Sequence, residues 1–90
     1  MSPHPSHHEI IKRLRRAEGH VRSIIGMIED GRECVEIAQQ MQAVESAIGN
    51  AKKTLVHDHI DRCLEHAGGS VAGGGKRDAI REFKAISKYL

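Results

Sequence analysis

The sequence predicts an all-α domain, and three observations carry that reading. Apolar residues recur at spacings of three and four along two long segments and one short one. Nothing alternates with the period of two that marks a half-buried strand. The composition is rich in Ala, Ile, Val, Leu and charged residues, which suits helices packing on helices. With 90 residues and only Phe83 and Tyr89 as aromatics, the chain has room for one small domain with a thin core. Domains of this size commonly gain stability by association between subunits.

The first helix is expected over about 6–30, after a tail at 1–5. Ser6-His7-His8-Glu9 has the form of a capping box, with Ser6 as N-cap and Glu9 reaching back. Ile10, Leu14, Ala17, Val21, Ile24 and Ile28 then form one apolar stripe. Gly31 is placed to end the helix in a left-handed conformation.

The second helix is expected over about 33–66. Cys34, Ile37, Met41, Val44, Ile48, Ala51 and Leu55 keep a strict three-and-four rhythm, a heptad-like stripe suited to a helix–helix seam. Gly49-Asn50 resembles a turn signal, but the stripe keeps its phase through 48, 51 and 55, so one unbroken helix is expected. Beyond Leu55 the apolar face shifts to Val56, Ile60 and Leu64. A glycine-rich connector follows at 68–75. A short third helix is expected over 76–89, with Ala79, Ile80, Phe83, Ile86 and Leu90 as its apolar stripe.

The net charge of +2 is unevenly distributed. Residues 1–28 carry +3, residues 29–66 carry −4 and residues 67–90 carry +3. The densest basic cluster, Lys12, Arg13, Arg15 and Arg16, is either a solvated helix face or a nucleic-acid footprint. No apolar run approaches the roughly 20 residues of a membrane span, and the N-terminus lacks the apolar stretch of a secretion signal. A cytoplasmic location is therefore expected, where two cysteines point to thiol or metal chemistry rather than a structural disulfide. With no glycine-rich phosphate loop and no nucleophile–base–orienter set, an enzyme is not expected.

His59 and Cys63 stand four apart on the second helix, which puts an imidazole and a thiol on one face. Their side chains are then about 5–6 Å apart at Cβ, within reach of one transition-metal ion. Cys34 precedes His59 by 25 residues. In a continuous helix that is a separation of roughly 38 Å, so Cys34 cannot join them from the same helix. It can join from the antiparallel helix of a second subunit, with two-fold symmetry creating two equivalent sites.

The segment from Arg13 to Cys63 resembles the CsoR/RcnR family of metal-sensing transcriptional repressors. The resemblance is carried by Arg13-Leu14-Arg15-Arg16, Gly19-His20, Cys34, Gln39-Gln40, Ala43-Val44, His59 and Cys63. It implies a three-helix protomer, an antiparallel four-helix-bundle dimer and a dimer of dimers. It also implies an apo form that binds operator DNA and is released by its metal to derepress efflux genes. By position, Arg13 and Arg16 match the family's DNA-binding residues; the chain's own charge pattern adds Lys12, Arg15, Lys52 and Lys53. His20 follows the family pattern as a structural residue.

Two thiolates and an imidazole suit Cu(I), whereas further nitrogen ligands favour Ni(II) or Co(II), with Zn(II) a fit in vitro. One ion per protomer is expected. Nickel and cobalt sensors of the family take an N-terminal ligand at the position of Ser2; His4, two residues on, is the nearest histidine. Glu82 matches a carboxylate that, in copper sensors, accepts the free imidazole N–H of the ligand histidine, although Glu33 stands where those sensors often have tyrosine. The alternatives are a persulfide, thiol-redox or aldehyde-sensing repressor of the same fold, or a helical metal-binding module that does not bind DNA. His59 argues against the persulfide sensor and Cys63 against the aldehyde sensor. No membrane partner and no small-molecule substrate are expected.

Overall fold

Three helices, α1 (His7–Glu29), α2 (Cys34–Gly68) and α3 (Gly74–Ser87), make up the computed structural model, which describes residues 6–68 and 74–90. No strand occurs among the described residues, and no helix is long and apolar enough to cross a membrane. His4 and the rest of 1–5 lie outside the described residues, as do 69–73.

The start of α1 departs from the capping-box expectation. Ser6 already has helical angles (φ −76°, ψ −17°) and makes no side-chain cap bond. An N-cap hydroxyl oxygen accepts from the N2 or N3 amide when its residue is extended; a helical Ser6 instead lends its carbonyl to Ile10 N–H at 3.0 Å. The other end follows the sequence. Gly31 takes φ +74°, Arg32 N–H donates to Met27 O at 3.0 Å and Gly31 N–H to Ile28 O at 3.1 Å. These are the two bonds of a Schellman motif, which satisfies carbonyls a helix end otherwise leaves open.

α2 runs without interruption through Gly49-Asn50. The glycine-rich run is shorter as a connector than its composition suggests, because Gly68 closes α2 and Gly74 and Gly75 open α3. Glycine is tolerated in a first turn, where backbone N–H groups lack intrahelical partners anyway.

The chain divides into two compact units, residues 1–52 and 53–90, and α2 contributes to both. In the first unit each apolar stripe splits into two rows. On α1, Ile10, Ala17 and Ile24 are only 6–7% exposed, whereas Leu14, Val21 and Ile28 are 40–56% exposed. On α2, Val44 and Ala51 are buried and Ile37 half-buried, while Cys34, Met41 and Ile48 are exposed, as is Leu55 where the row continues into the second unit. Members of a row are seven residues apart, so each helix turns one row inward and leaves the other uncovered. The expected single seam is thus two surfaces. An open apolar groove of about 620 Å³ lies between them, lined by Val21, Ile25, Ile28, Ala38 and Met41 among others.

In the second unit Val56, Cys63 and Ala79 are buried and Ile60 is half-buried. Leu64, expected on the buried face, is 58% exposed. The inner position one residue earlier is taken by Cys63, and about 100° of helical rotation carries Leu64 to the rim.

Candidate metal centre and basic face

His59 and Cys63 share a face of α2 because they are one helical turn apart, and α3 brings Glu82 against them. One ligand atom from each of the three lies within 4.8 Å of the others. His59 Nε2 stands 3.7 Å from Glu82 Oε2, an ion pair when the imidazole is protonated. Cys63 is the most enclosed of the three, at 3% exposure, and His59 is half-buried. Its apolar neighbours Ala79, Ile80 and Phe83 line a small hollow of about 260 Å³ on one side of the thiol.

This environment disfavours a free thiolate. Burial pushes the Cys63 thiol above its ordinary range, and the nearby Glu82 carboxylate pushes it further. A divalent or soft cation reverses both effects, since its charge stabilises thiolate and carboxylate together. An imidazole and a thiol on one face, with a carboxylate beside the imidazole, therefore suit a transition metal better than a proton-exchanging thiol.

Cys34 is not part of this cluster. It is the first residue of α2, exposed and free of any disulfide. The helix that separates it from His59 is continuous, which is the premise of the length argument above. Just before it, Arg32 forms a two-pronged pair with Glu36, through Nε at 3.1 Å and through its terminal nitrogen. That pair raises the guanidinium pKa and holds the Glu36 carboxyl below its usual range.

The basic residues of α1 fall on different sides of the helix. Arg13 and Arg16 line a cleft of about 390 Å³ with Glu9, Ala17, His20, Ala47 and Asn50. Arg13 is paired with Glu9 at 3.5 Å, a partner that the i,i+4 spacing announces. Lys12, Arg15 and Arg16 are exposed, as are Lys52 and Lys53 on α2. His20 Nε2 donates to Gln40 Oε1 at 2.6 Å, tying α1 to α2. No spacing rule could have paired these two, because they lie 20 residues apart on separate helices. The bond gives His20 a structural task behind the basic face.

Comparison with known proteins places this architecture. A family model described as metal-sensitive transcriptional repressor matches residues 6–88. The copper-sensing transcriptional repressor CsoR of Bacillus subtilis (strain 168) is 38% identical over 80 residues, covering 89% of this chain and 76% of that protein. The copper-sensing transcriptional repressor RicR of Mycobacterium tuberculosis is 42% identical over 64 residues, covering 71% of this chain. The chain spans 64% of that mycobacterial protein's length. Among solved structures, the nickel-responsive transcriptional regulator InrS superposes with a TM-score of 0.81 at 26% identity, over 100% of this chain and 99% of that one. With a helical protomer of the same fold and a family match across nearly its whole length, the chain belongs to the family of metal-sensitive transcriptional repressors.

Proposed function

We propose that this chain is a metal-responsive repressor that binds operator DNA in its apo form and is released from it by a transition metal, derepressing metal efflux genes. The observation that carries the reading is the juxtaposition of His59, Cys63 and Glu82 in a half-built site, with a second, exposed thiol at the far end of the same helix. His59 and Cys63 of one subunit and Cys34 of another supply the ligands, and Glu82 holds the His59 imidazole from its other nitrogen. Bound there, the ion supplies a cross-link between thiolates and imidazole of two subunits, one ion per protomer.

The exposed rows on α1 and α2 support the oligomer this requires. Leu14, Val21, Ile28, Met41, Ile48 and Leu55 leave an apolar surface that a second copy of the chain covers by helix packing. An antiparallel four-helix-bundle dimer brings the start of one α2 to the end of the other. A dimer of dimers then uses the remaining α1 surface around Ile11.

On the DNA side, Arg13 and Arg16 are the principal phosphate contacts, flanked by Lys12, Arg15, Lys52 and Lys53. The Glu9 carboxylate and the His20–Gln40 bond fix the orientation of Arg13 and of the cleft. Release follows if the metal-linked arrangement holds these cations out of register with the phosphates. A coupling of about 1–3 kcal/mol changes operator affinity roughly 5–150-fold. Copper-sensing relatives and a nickel-responsive structural neighbour support a transition metal here, and the reading takes it as Cu(I) or as Ni(II)/Co(II).

The test is an anaerobic titration with Cu(I), Ni(II), Co(II) and Zn(II), followed by operator-fragment binding at each saturation. One metal is expected to bind most tightly, with one equivalent per protomer, and to weaken DNA binding. If Cys34→Ala, His59→Ala and Cys63→Ala all leave that response intact, the site assignment is wrong.

A further inference from the structure

α3 carries a charge pattern that neither the metal site nor the α1 face uses. Arg77, Arg81 and Lys84 fall within an arc of about 60° on the helix, since residues four and three apart share a face. Lys88 continues the same spacing in the turn after α3, which Tyr89 N–H closes on Ile86 O at 3.0 Å. All four are exposed. Helical rotation places no carboxylate within that arc, because Asp78 and Glu82 project well to one side and Glu82 faces His59. None of the four cations forms an ion pair among the described residues.

Elsewhere the helices mostly set opposite charges at i,i+4, the like-charged exceptions being Lys12–Arg16 on the basic face of α1 and Asp61–Glu65 on α2. The opposite pairs set Glu9 against Arg13, Glu18 against Arg22, Arg32 against Glu36 and Asp58 against Arg62. On α3 the same spacing sets Arg77 against Arg81 and Lys84 against Lys88. Like charges at this separation destabilise a helix by about 0.2–0.5 kcal/mol per pair, so folding alone gives no reason for the stripe. An external polyanion does. The stripe is also linear, rising roughly 16 Å from Arg77 to Lys88, which suits a succession of phosphates better than a single anion.

We infer that the Arg77–Arg81–Lys84–Lys88 stripe is a second DNA-binding surface, engaging the phosphate backbone of duplex DNA independently of the α1 face. The inference rests on the repressor reading above. An anionic membrane is the weaker partner, because the apolar residues of α3 are turned toward the hollow beside Cys63. Ala79 is buried there, while Ile80 and Phe83 line the hollow and stay 45% and 36% exposed, too little apolar surface for a lipid-inserting face.

Phosphate contacts carry no sequence information, so a labelled random-sequence duplex is a sufficient probe. Its affinity for the full-length metal-free protein is measured by fluorescence anisotropy across a series of KCl concentrations. The comparison set is wild type, Arg81→Gln/Lys84→Gln and Arg13→Gln/Arg16→Gln. Each phosphate contact removed lowers the slope of log K against log [salt] by about 0.9, so the α3 double variant is expected to lose about 1.8 in slope for each protomer whose α3 engages the duplex. Its helical circular dichroism and metal stoichiometry are expected to match wild type, because both residues are exposed. An unchanged slope in the α3 variant, alongside a reduced one in the α1 variant, overturns this inference and leaves the repressor reading standing. Binding of wild type to phosphatidylserine vesicles that the α3 variant loses, with DNA binding unchanged, also overturns it. Absence of duplex binding by wild type at low salt overturns the repressor reading and the α3 surface together.

Discussion

Cys34 and Cys63 share a helix but not an environment. Cys34 is exposed at the first residue of α2; Cys63 is enclosed on α2 beside His59 and Glu82, with its thiol pushed toward the protonated form. Within the proposed ligand set the difference separates two tasks. The Cys63 end is organised before any metal arrives, so its residues are held by packing within one protomer. The Cys34 end is exposed, and the ligand role proposed for it depends on a second subunit.

Mixing subunits gives the largest effect and the sharpest test of that division. Cys34→Ser and Cys63→Ser homo-oligomers are each expected to lose tight Cu(I) binding by more than about 100-fold, beyond the 10–100-fold typical of an outer-shell loss. A dimer of one Cys34→Ser and one Cys63→Ser protomer retains one intact site if each site takes Cys34 from the opposite chain. Tight binding at half the wild-type stoichiometry in such mixed dimers is the expected result. Recovery of no tight site at all would mean that each site takes Cys34 and Cys63 from the same chain, and tight binding retained by the Cys34→Ser homo-oligomer would place Cys34 outside the metal set.

A smaller effect is expected at the preorganised end. Glu82→Gln keeps the side chain's shape but removes the charge that faces His59 Nε2. Metal affinity is expected to fall by roughly 10–100-fold, read by competition with a chelator. Wild-type affinity in this variant would reduce Glu82 to a surface residue of α3. Alkylation of the metal-free protein probes the same contrast more gently. Cys34 is expected to react with iodoacetamide on the order of tenfold or more faster than Cys63, because access and thiolate fraction both set the rate. Peptide mapping over a time course distinguishes the two, and equal rates would mean that the Cys63 pocket opens freely.

The parts of this contrast that the sequence revealed are those written in a helical period. His59 and Cys63 are four apart, so their shared face was legible, and the unbroken phase of Ile48, Ala51 and Leu55 outweighed the turn-like Gly49-Asn50. Periodicity could not say which row of a stripe meets the same chain. Ile10, Ala17 and Ile24 are chemically no different from Leu14, Val21 and Ile28, yet only the first row is buried. Ser6 misled for a related reason, since the Ser-x-x-Glu pattern gives the means of capping but not the backbone angles at Ser6. Glu82 has no spacing relation to His59, and only the family resemblance singled it out before the helices were seen together. The first residues of α3 were hidden because glycine reads as connector, although a first turn accepts it.

The smallest expected effect is on stability, and the two ends of α2 should show it at opposite extremes of pH. Glu36 has its pKa lowered by the Arg32 hydrogen bonds. Its contribution is complete above the unfolded carboxylate value of about 4.3 and is lost as pH falls through the lower folded value. Cys63 has its pKa raised by burial and then by Glu82. Its contribution is complete below the unfolded thiol value of about 8.5 and is lost as pH rises through the higher folded value. Thermal unfolding of the metal-free protein across pH should therefore weaken on both limbs, more on the alkaline one, because the Arg32–Glu36 pair is solvent-screened. Cys63→Ala is expected to flatten the alkaline limb and leave the acid limb unchanged, while Arg32→Gln does the reverse. An alkaline limb that survives Cys63→Ala would trace the loss to another group and remove the enclosed thiol as its cause.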